Sequence, residues 1–230
     1  MPVDRDQLKK QAALRAVAFV EDGMVVGLGT GSTAYFVVEG LGARVKEGLK
    51  ITGIPTSERT ATQARSLGIP LATFAEHQRI DLTIDGADEV ERRSLDLIKG
   101  LGGALLREKI VAAASQRLVI VVDQEKLVDQ LGDHTPVPVE AVQFGWQATA
   151  AALRRLGAEP VLRHAHEDHP FITDGGNYTL DCRFTKIADA KALERDINAI
   201  VGVVDCGLFI GRAAAVIVAA TDGIHVLNAP

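Results

Sequence analysis

Apolar and polar positions follow two different grammars along this chain. Up to about residue 131, short apolar runs alternate with stretches of helical spacing. Residues 4–20 place Leu8, Ala12 and Phe19 on one side of a helix, with Asp4 or Asp6 marking its start. Residues 24–28 read as a short buried strand, 32–46 as a helix, 49–54 as a strand and 56–67 as a helix that Thr56 or Ser57 can cap. A third strand follows at 80–84, then a helix at 104–114 and a fully apolar strand at 118–122. Strands alternating with helices predict a parallel sheet with right-handed crossovers.

After Gly132 the grammar changes. Residues 136–139 are extended, 144–156 helical, 159–163 and 178–184 strands, 189–200 a helix and 202–205 a strand. That β-α-β-β-α-β order is the split βαβ or ferredoxin-like unit. Residues 208–227 hold two strands around the turn Thr221-Asp222-Gly223 and return to the first sheet. The expected fold is therefore α/β: a Rossmann-like parallel sheet domain over 1–131 and 206–230, with a smaller ferredoxin-like α+β domain over 132–205.

Composition narrows the function without naming it. At 230 residues with 47% apolar and 24% charged side chains, the chain can bury a core for one domain carrying a smaller one. A net charge of −5 offers no basic surface to nucleic acid or to an anionic membrane. An anionic small molecule must then be held by backbone amides and a few lysines. The first ten residues carry no apolar signal region, and no apolar run approaches the ~18 residues of a membrane span. Cys182 and Cys206 form no CxxC motif and are expected reduced, in strands. A cytoplasmic protein is expected.

Three stretches carry chemistry. Gly27-Leu28-Gly29-Thr30-Gly31-Ser32-Thr33-Ala34 lies between a strand and a helix. Its glycines let backbone N–H groups approach a phosphate at a helix N-terminus, and Thr30, Ser32 and Thr33 add hydroxyls. The third glycine of G-x-G-x-x-G is missing, as are the P-loop lysine and an acidic residue after the next strand, which favours a small sugar phosphate over a nucleotide. A tight capped turn would read the same way. Asp85-Gly86-Ala87-Asp88-Glu89 follows a strand end, where two carboxylates can share protons with the hydroxyls of a ligand, cap a short helix, or contribute to a Mg²⁺ site. Lys99-Gly100-Leu101-Gly102-Gly103-Ala104 repeats the first logic, with amides that could form an oxyanion hole beside Lys99. Arg107, Glu108 and Lys109 then open a helix, either as a solvated face or with Glu108 as a general base.

The segments VGLGTGSTA (26–34), IDGADEV (84–90) and KGLGGALLREK (99–109) resemble the signature blocks of the type A ribose-5-phosphate isomerase family, in order and in spacing. DQEKLVDQLG (123–132) and NAIVGVVDCGLF (198–209) extend the likeness over nearly the whole chain. The resemblance implies interconversion of ribose 5-phosphate and ribulose 5-phosphate through an enediolate, without a metal or an organic cofactor. By similarity, Thr30, Gly31, Ser32 and Thr33 bind this phosphorylated pentose, as do Asp85, Gly86, Ala87 and Asp88, then Lys99, Gly100, Leu101 and Gly102, and Lys126. Glu108 takes the family's proton-acceptor position, Asp85 helps ring opening and relays hydroxyl protons, and Lys99 stands near the developing charge. Lys9 is a looser match for a phosphate contact. Leu101 stands where some members have another glycine. The family implies a homodimer or a dimer of dimers.

Other features were weighed against this set. The stretch Arg163-His164-Ala165-His166-Glu167-Asp168-His169-Pro170 falls between two strands of the second domain and is read as a polar loop rather than a metal centre. Trp146 belongs with Leu153 and Leu156 to an amphipathic helix and is read as core or interface. A non-catalytic sugar-phosphate sensor would need a helix-turn-helix for which no segment is spare. A CoA transferase would need Glu108 as a nucleophile and a partner domain for CoA.

Overall fold

The computed structural model describes residues 5–166 and 169–229. Asp4, Glu167 and Asp168, which figured in the readings above, lie outside the described residues. The chain groups into two compact units. The first comprises residues up to Ala87, Arg107–Leu127 and residues from Arg212 onward, and the second comprises Asp88–Leu106 and Val128–Gly211. Residues 88–106, which strand-helix alternation groups with the first domain, pack with the second unit.

In chain order the elements are α1 (Arg5–Val17), β1 (Val25–Leu28), α2 (Ser32–Lys46), β2 (Thr52–Pro55), α3 (Glu58–Ser66), β3 (Ile80–Asp85), β4 (Glu89–Glu91), β5 (Leu97–Ile98), α4 (Leu105–Ala113) and β6 (Ser115–Asp123). A 3-10 turn at Gln124–Lys126 leads to β7 (Leu127–Val128), β8 (Val137–Ala141), α5 (Trp146–Arg155), β9 (Ala158–Leu162) and the hairpin β10 (His164–His166) and β11 (His169–Pro170). The chain continues through β12 (Tyr178–Phe184), α6 (Ala190–Asn198), β13 (Val203–Cys206), β14 (Leu208–Phe209), β15 (Ala215–Ala220) and β16 (Gly223–Asn228).

The first unit is built on a six-stranded sheet of order β16-β15-β6-β3-β1-β2. All neighbours are parallel except the β15–β16 pair, whose hairpin turn lies at 221–222. Strand β15 and the second half of β6 read as continuous apolar runs because both faces are covered, and Leu118 to Val122 are all buried. One face packs on α1 and α2, where Ala12, Ala16, Val37, Val38 and Leu41 meet Val26, Leu82, Ile84, Val119 and Ile217. These positions recur at helical spacing on α1 and α2, and burying that stripe holds the helices to the sheet. The strand order reverses between β1 and β3, which run in parallel with Leu28 opposite Ile84. In open α/β sheets a ligand crevice forms at the carboxyl ends of the strands flanking such a reversal.

The second unit carries a four-stranded antiparallel sheet of order β13-β8-β12-β9, with α5 and α6 as its connecting helices, the arrangement of the ferredoxin-like motif. Its core gathers Val137, Val139, Leu153, Leu180, Ile197 and both cysteines, with Trp146 packed against it. Cys182 and Cys206 are buried in strands and are not disulfide-bonded. Desolvation, with lesser effects from Asp181 and Cys206, pushes the Cys182 thiol far above its ordinary range, so it stays neutral and inert. A further four-stranded sheet of short strands, order β14-β5-β4-β7, was not anticipated, and neither was the β10–β11 hairpin in the His-rich stretch.

Candidate active site

In the first unit, the loop after β1 and the end of β3 are fitted together atom by atom. The Asp85 carboxylate is 1% exposed, and its Oδ1 accepts hydrogen bonds from the Thr30 N–H at 3.0 Å and the Gly86 N–H at 2.7 Å. A Cβ on Gly29 would stand 2.2 Å from that Oδ1 and 2.6 Å from the Asp85 Cα. Gly27 is equally constrained, since its Cβ would lie 1.8 Å from Thr83 Oγ1. Gly31 adopts φ 118°, ψ 179°, a region open to glycine, and serves as the N-cap of α2. Ser32 and Thr33 then open that helix, so its N-terminal amides and dipole face whatever the loop holds. A cavity of about 440 Å³ borders Gly31 and Ser32 and is also lined by Arg59, Thr60 and Gln63. Lys9 reaches Ser32, with Nζ 3.4 Å from its Oγ.

Thr30 does not offer the hydroxyl that its position in the sequence suggests. Its Oγ1 lies 2.7 Å from Thr56 Oγ1, 2.8 Å from Ser57 Oγ and 3.1 Å from Thr60 Oγ1, all buried. The Thr56 hydroxyl donates to the Leu28 carbonyl and the Thr60 hydroxyl to the Gly29 carbonyl, while Ser57 donates to Thr60. A hydroxyl has one proton, so Thr30 must donate to Thr56 or Ser57. With its N–H on Asp85 as well, Thr30 has both of its donors committed within the protein. The hydroxyl donor expected of Thr30 is therefore already engaged by the 56–60 segment. Thr56, Ser57 and Thr60 are what sequence reasoning missed. Ser57 does cap α3 as anticipated, accepting from the Thr60 N–H, but nothing in the spacing of the hydroxyls announces the cluster.

Glu108 lies in the first turn of α4 and is 4% exposed, with Lys109 beside it at 5%. The solvated-face reading of this run holds only for Arg107, which pairs with Glu58 at 2.8 Å across partly exposed side chains. Lys126 ends the 3-10 turn after β6, half-buried.

The second unit holds the remaining residues. Lys99 follows β5 and is 2% exposed, its Nζ 5.6 Å from the centre of the Phe209 ring. Asp88 shapes the loop beyond it, for its Oδ2 accepts from the Leu101 N–H at 2.9 Å. The Lys99 N–H donates to the Gly207 carbonyl and the Gly103 N–H to the Gly100 carbonyl. Of the 100–104 amides expected as oxyanion donors, those of 101 and 103 are already spent in holding the loop. Arg163 donates to the carbonyls of Gly100 and Leu101 while pairing with Asp181. Gly100 and Gly103 have φ of +109° and +81°, whereas Leu101 keeps a negative φ. Gly102 is exposed.

Glu89, a possible partner of Asp85 and Asp88 toward Mg²⁺, has another task. Buried in the second unit, it accepts N–H groups from Gly132, His134 and Thr135 at 2.6–2.7 Å. Among the described residues no three His, Cys, Asp or Glu side chains are grouped to hold a metal ion. His164, His166 and His169 sit exposed on the β10–β11 hairpin. No helix of the described residues is long and apolar enough to cross a membrane.

Comparison with known proteins bears on the whole chain. Residues 52–223 match the family described as ribose 5-phosphate isomerase A (phosphoriboisomerase A). A ribose-5-phosphate isomerase A of Gloeobacter violaceus is 65% identical over 226 residues, covering 98% of each chain. The ribose 5-phosphate isomerase A structure from Methanocaldococcus jannaschii superposes with a TM-score of 0.94 at 42% identity, over 98% of this chain and all of that one. A D-ribose-5-phosphate isomerase structure in complex with phospho-erythronic acid gives 0.95 at 39% identity, with coverage of 98% and 100%. With its parallel sheet, its carboxylate at a strand reversal and kinship along its full length, the chain belongs to the ribose 5-phosphate isomerase A family.

Proposed function

We propose that this chain interconverts ribose 5-phosphate and ribulose 5-phosphate by proton transfer through an enediolate. The observation that carries the reading is the junction of the 29–33 loop with Asp85 at the carboxyl ends of two adjacent parallel strands. A phosphate seated on the N-terminal amides of α2, with Lys9 and Lys126 as counter-charges, would anchor one end of the pentose. Asp85 would exchange protons with the sugar hydroxyls during ring opening. Glu108 is the base that removes the proton from C2 of the aldose and returns it to C1 of the ketose. Lys99 supplies the positive charge that offsets the enediolate oxygen, and Asp88 sets the backbone of the loop that follows it. In this reading the reaction needs neither a metal nor an organic cofactor. The phospho-erythronic acid held by the related structure combines a phosphate with a carboxylate, which copies the planar, charged end of an enediolate, and it should compete with substrate here. The same reading makes this a cytoplasmic enzyme, assembled as a homodimer or a dimer of dimers. The catalytic domain in this view is the one expected from the sequence, residues 1–131 and 206–230, although residues 88–106, Lys99 among them, group with the second unit, and a sensor role has no support.

In deuterated water the ketose product should carry solvent deuterium at C1, at least in part, since a carboxylic acid exchanges its proton with water when the site is open. Activity should survive exhaustive chelation. Glu108→Gln should lower kcat by ~10²–10⁴ with substrate binding largely intact. Full retention of the C2 hydrogen, with chelation abolishing turnover and Mg²⁺ or Mn²⁺ restoring it, would overturn the mechanism.

A further inference from the structure

Thr56, Ser57 and Thr60 belong to none of the blocks assigned to substrate, yet their hydroxyls take hold of three consecutive residues, Leu28 to Thr30, where β1 runs into the phosphate loop. Thr56 Oγ1 donates to the Leu28 carbonyl at 3.0 Å, Thr60 Oγ1 to the Gly29 carbonyl at 3.0 Å, and the Thr30 hydroxyl sits among all three. Capping α3 requires only the bond from the Thr60 N–H to Ser57 Oγ and leaves the other hydroxyl contacts unexplained. All four side chains are buried, at 0–6% exposure. A buried hydroxyl is costly unless bonded, so an apolar residue would serve packing as well. What a fully bonded hydroxyl cluster adds is a single permitted geometry.

We propose that Thr56, Ser57 and Thr60 are positioning residues for the isomerisation, acting through the Thr30 peptide on both the phosphate loop and Asp85. The inference rests on the isomerase reading above. The Gly29 carbonyl, held by the Thr60 hydroxyl, and the Leu28 carbonyl, held by both the N–H and the hydroxyl of Thr56, cannot rotate toward an incoming phosphate, which they would repel. The Thr30 N–H is thereby aimed at Asp85 Oδ1, so one cluster sets the anion site and the carboxylate together. Loss of one hydroxyl would let the 28–30 backbone relax and misalign both. Misplacement on the order of 1 Å costs up to ~10²-fold in rate, even when its source is far from the chemistry.

The test compares the parent chain with Thr60→Val, which keeps the shape and removes the hydroxyl, and with Thr60→Ser, which restores it. Thr60→Val should raise KM for ribose 5-phosphate and the competitive Ki of inorganic phosphate together, by ~10-fold each, and lower kcat by a smaller factor. Its Tm should fall by no more than ~4 °C. Thr60→Ser should return the kinetic values to within about twofold of the parent, because its hydroxyl reaches the same carbonyl. Unchanged KM and Ki in a folded Thr60→Val chain would overturn the proposal. So would a kinetic loss that follows Tm and is not repaired by Thr60→Ser, since that is the mark of a merely structural role. If Thr60→Val does not fold, Thr56→Val is judged by the same readouts. A parent chain without isomerase activity would sink the isomerase reading and this inference with it, whereas an active parent with an indifferent variant sinks the inference alone.

Discussion

Gly29 lacks a side chain because Asp85 occupies the space where a Cβ would go, whereas Gly100 and Gly103 are glycine because φ values of +109° and +81° admit little else. The two loops share a composition and differ in what holds them. The 27–33 loop is fixed from outside, by hydroxyls of the 56–60 segment and by a carboxylate at the next strand end. The 99–103 loop has one bond of its own, Gly103 N–H to the Gly100 carbonyl, and is otherwise held by charged side chains and one backbone carbonyl: Asp88 takes one amide, Arg163 two carbonyls, and the Gly207 carbonyl the Lys99 N–H. A run of glycines therefore says that backbone must come close to something, without saying whether that something is ligand or protein. In the second loop the amides of 101 and 103 go to protein, and in the proposed mechanism its charge is that of Lys99.

The sharpest way to break this contrast is to add one methyl group to each loop. Gly29→Ala drives a Cβ into the Asp85 carboxylate and backbone, which cannot move without dragging β3. It should cost at least ~10² in kcat/KM as well as stability. Gly103→Ala meets the far edge of the Phe171 ring, 2.3 Å away, which can swing aside, and its lasting cost is about 1–2 kcal/mol of backbone strain. Steady-state kinetics beside thermal melts would decide it. Equal kinetic losses in the two variants would remove the distinction.

The clamp on the second loop gives a smaller effect. Arg163→Met frees the carbonyls of Gly100 and Leu101 and leaves Asp181 without its partner. Both side chains keep some exposure, so the stability loss should be about 1–2 kcal/mol, below that of breaking a fully buried pair. KM for ribose 5-phosphate should rise about fivefold and kcat change little if the loop is only loosened. Urea unfolding and initial-rate kinetics measure the two effects separately. A collapse of kcat would mean that Arg163 aligns Lys99 for the chemistry.

Which parts were legible in sequence follows from how far each determinant reaches along the chain. The strand Tyr178–Phe184 and the helix Ser32–Lys46 announce themselves because their periodicity is local, and the β-α-β-β-α-β order follows from it. The pairs Glu89–Glu91 and Leu97–Ile98 were missed because strands so short contain no period to read. Asp85, Lys99 and Glu108 stood out as charges beside glycine-rich turns, but their near-complete burial depends on packing by remote segments. Glu89 looked equally chemical, and its three amide partners lie 43–46 residues away in sequence. The hydroxyl cluster was hidden for the same reason: Thr30 and Thr60 are 30 residues apart, and only the β1–β2 register brings their segments together.

The finest test concerns Leu101, the residue that interrupts the second glycine run. Its φ is negative, its side chain is 40% exposed, and its contribution to the loop is an N–H donated to Asp88. Glycine at this position would keep that N–H and remove only the side chain. What changes is the unfolded chain, which gains conformational freedom that folding must then remove, costing about 0.5–1 kcal/mol. Leu101→Gly should therefore lower the melting temperature by about 1–4 °C and leave kcat/KM within about threefold of the parent. The reverse pattern, an unchanged melt with a large kinetic loss, would mean that the leucine side chain itself touches substrate or closes over it. In that event the second loop would be a recognition surface and not only a support for Lys99 held by Asp88 and Arg163, and its contrast with the 27–33 loop would have to be redrawn around Leu101.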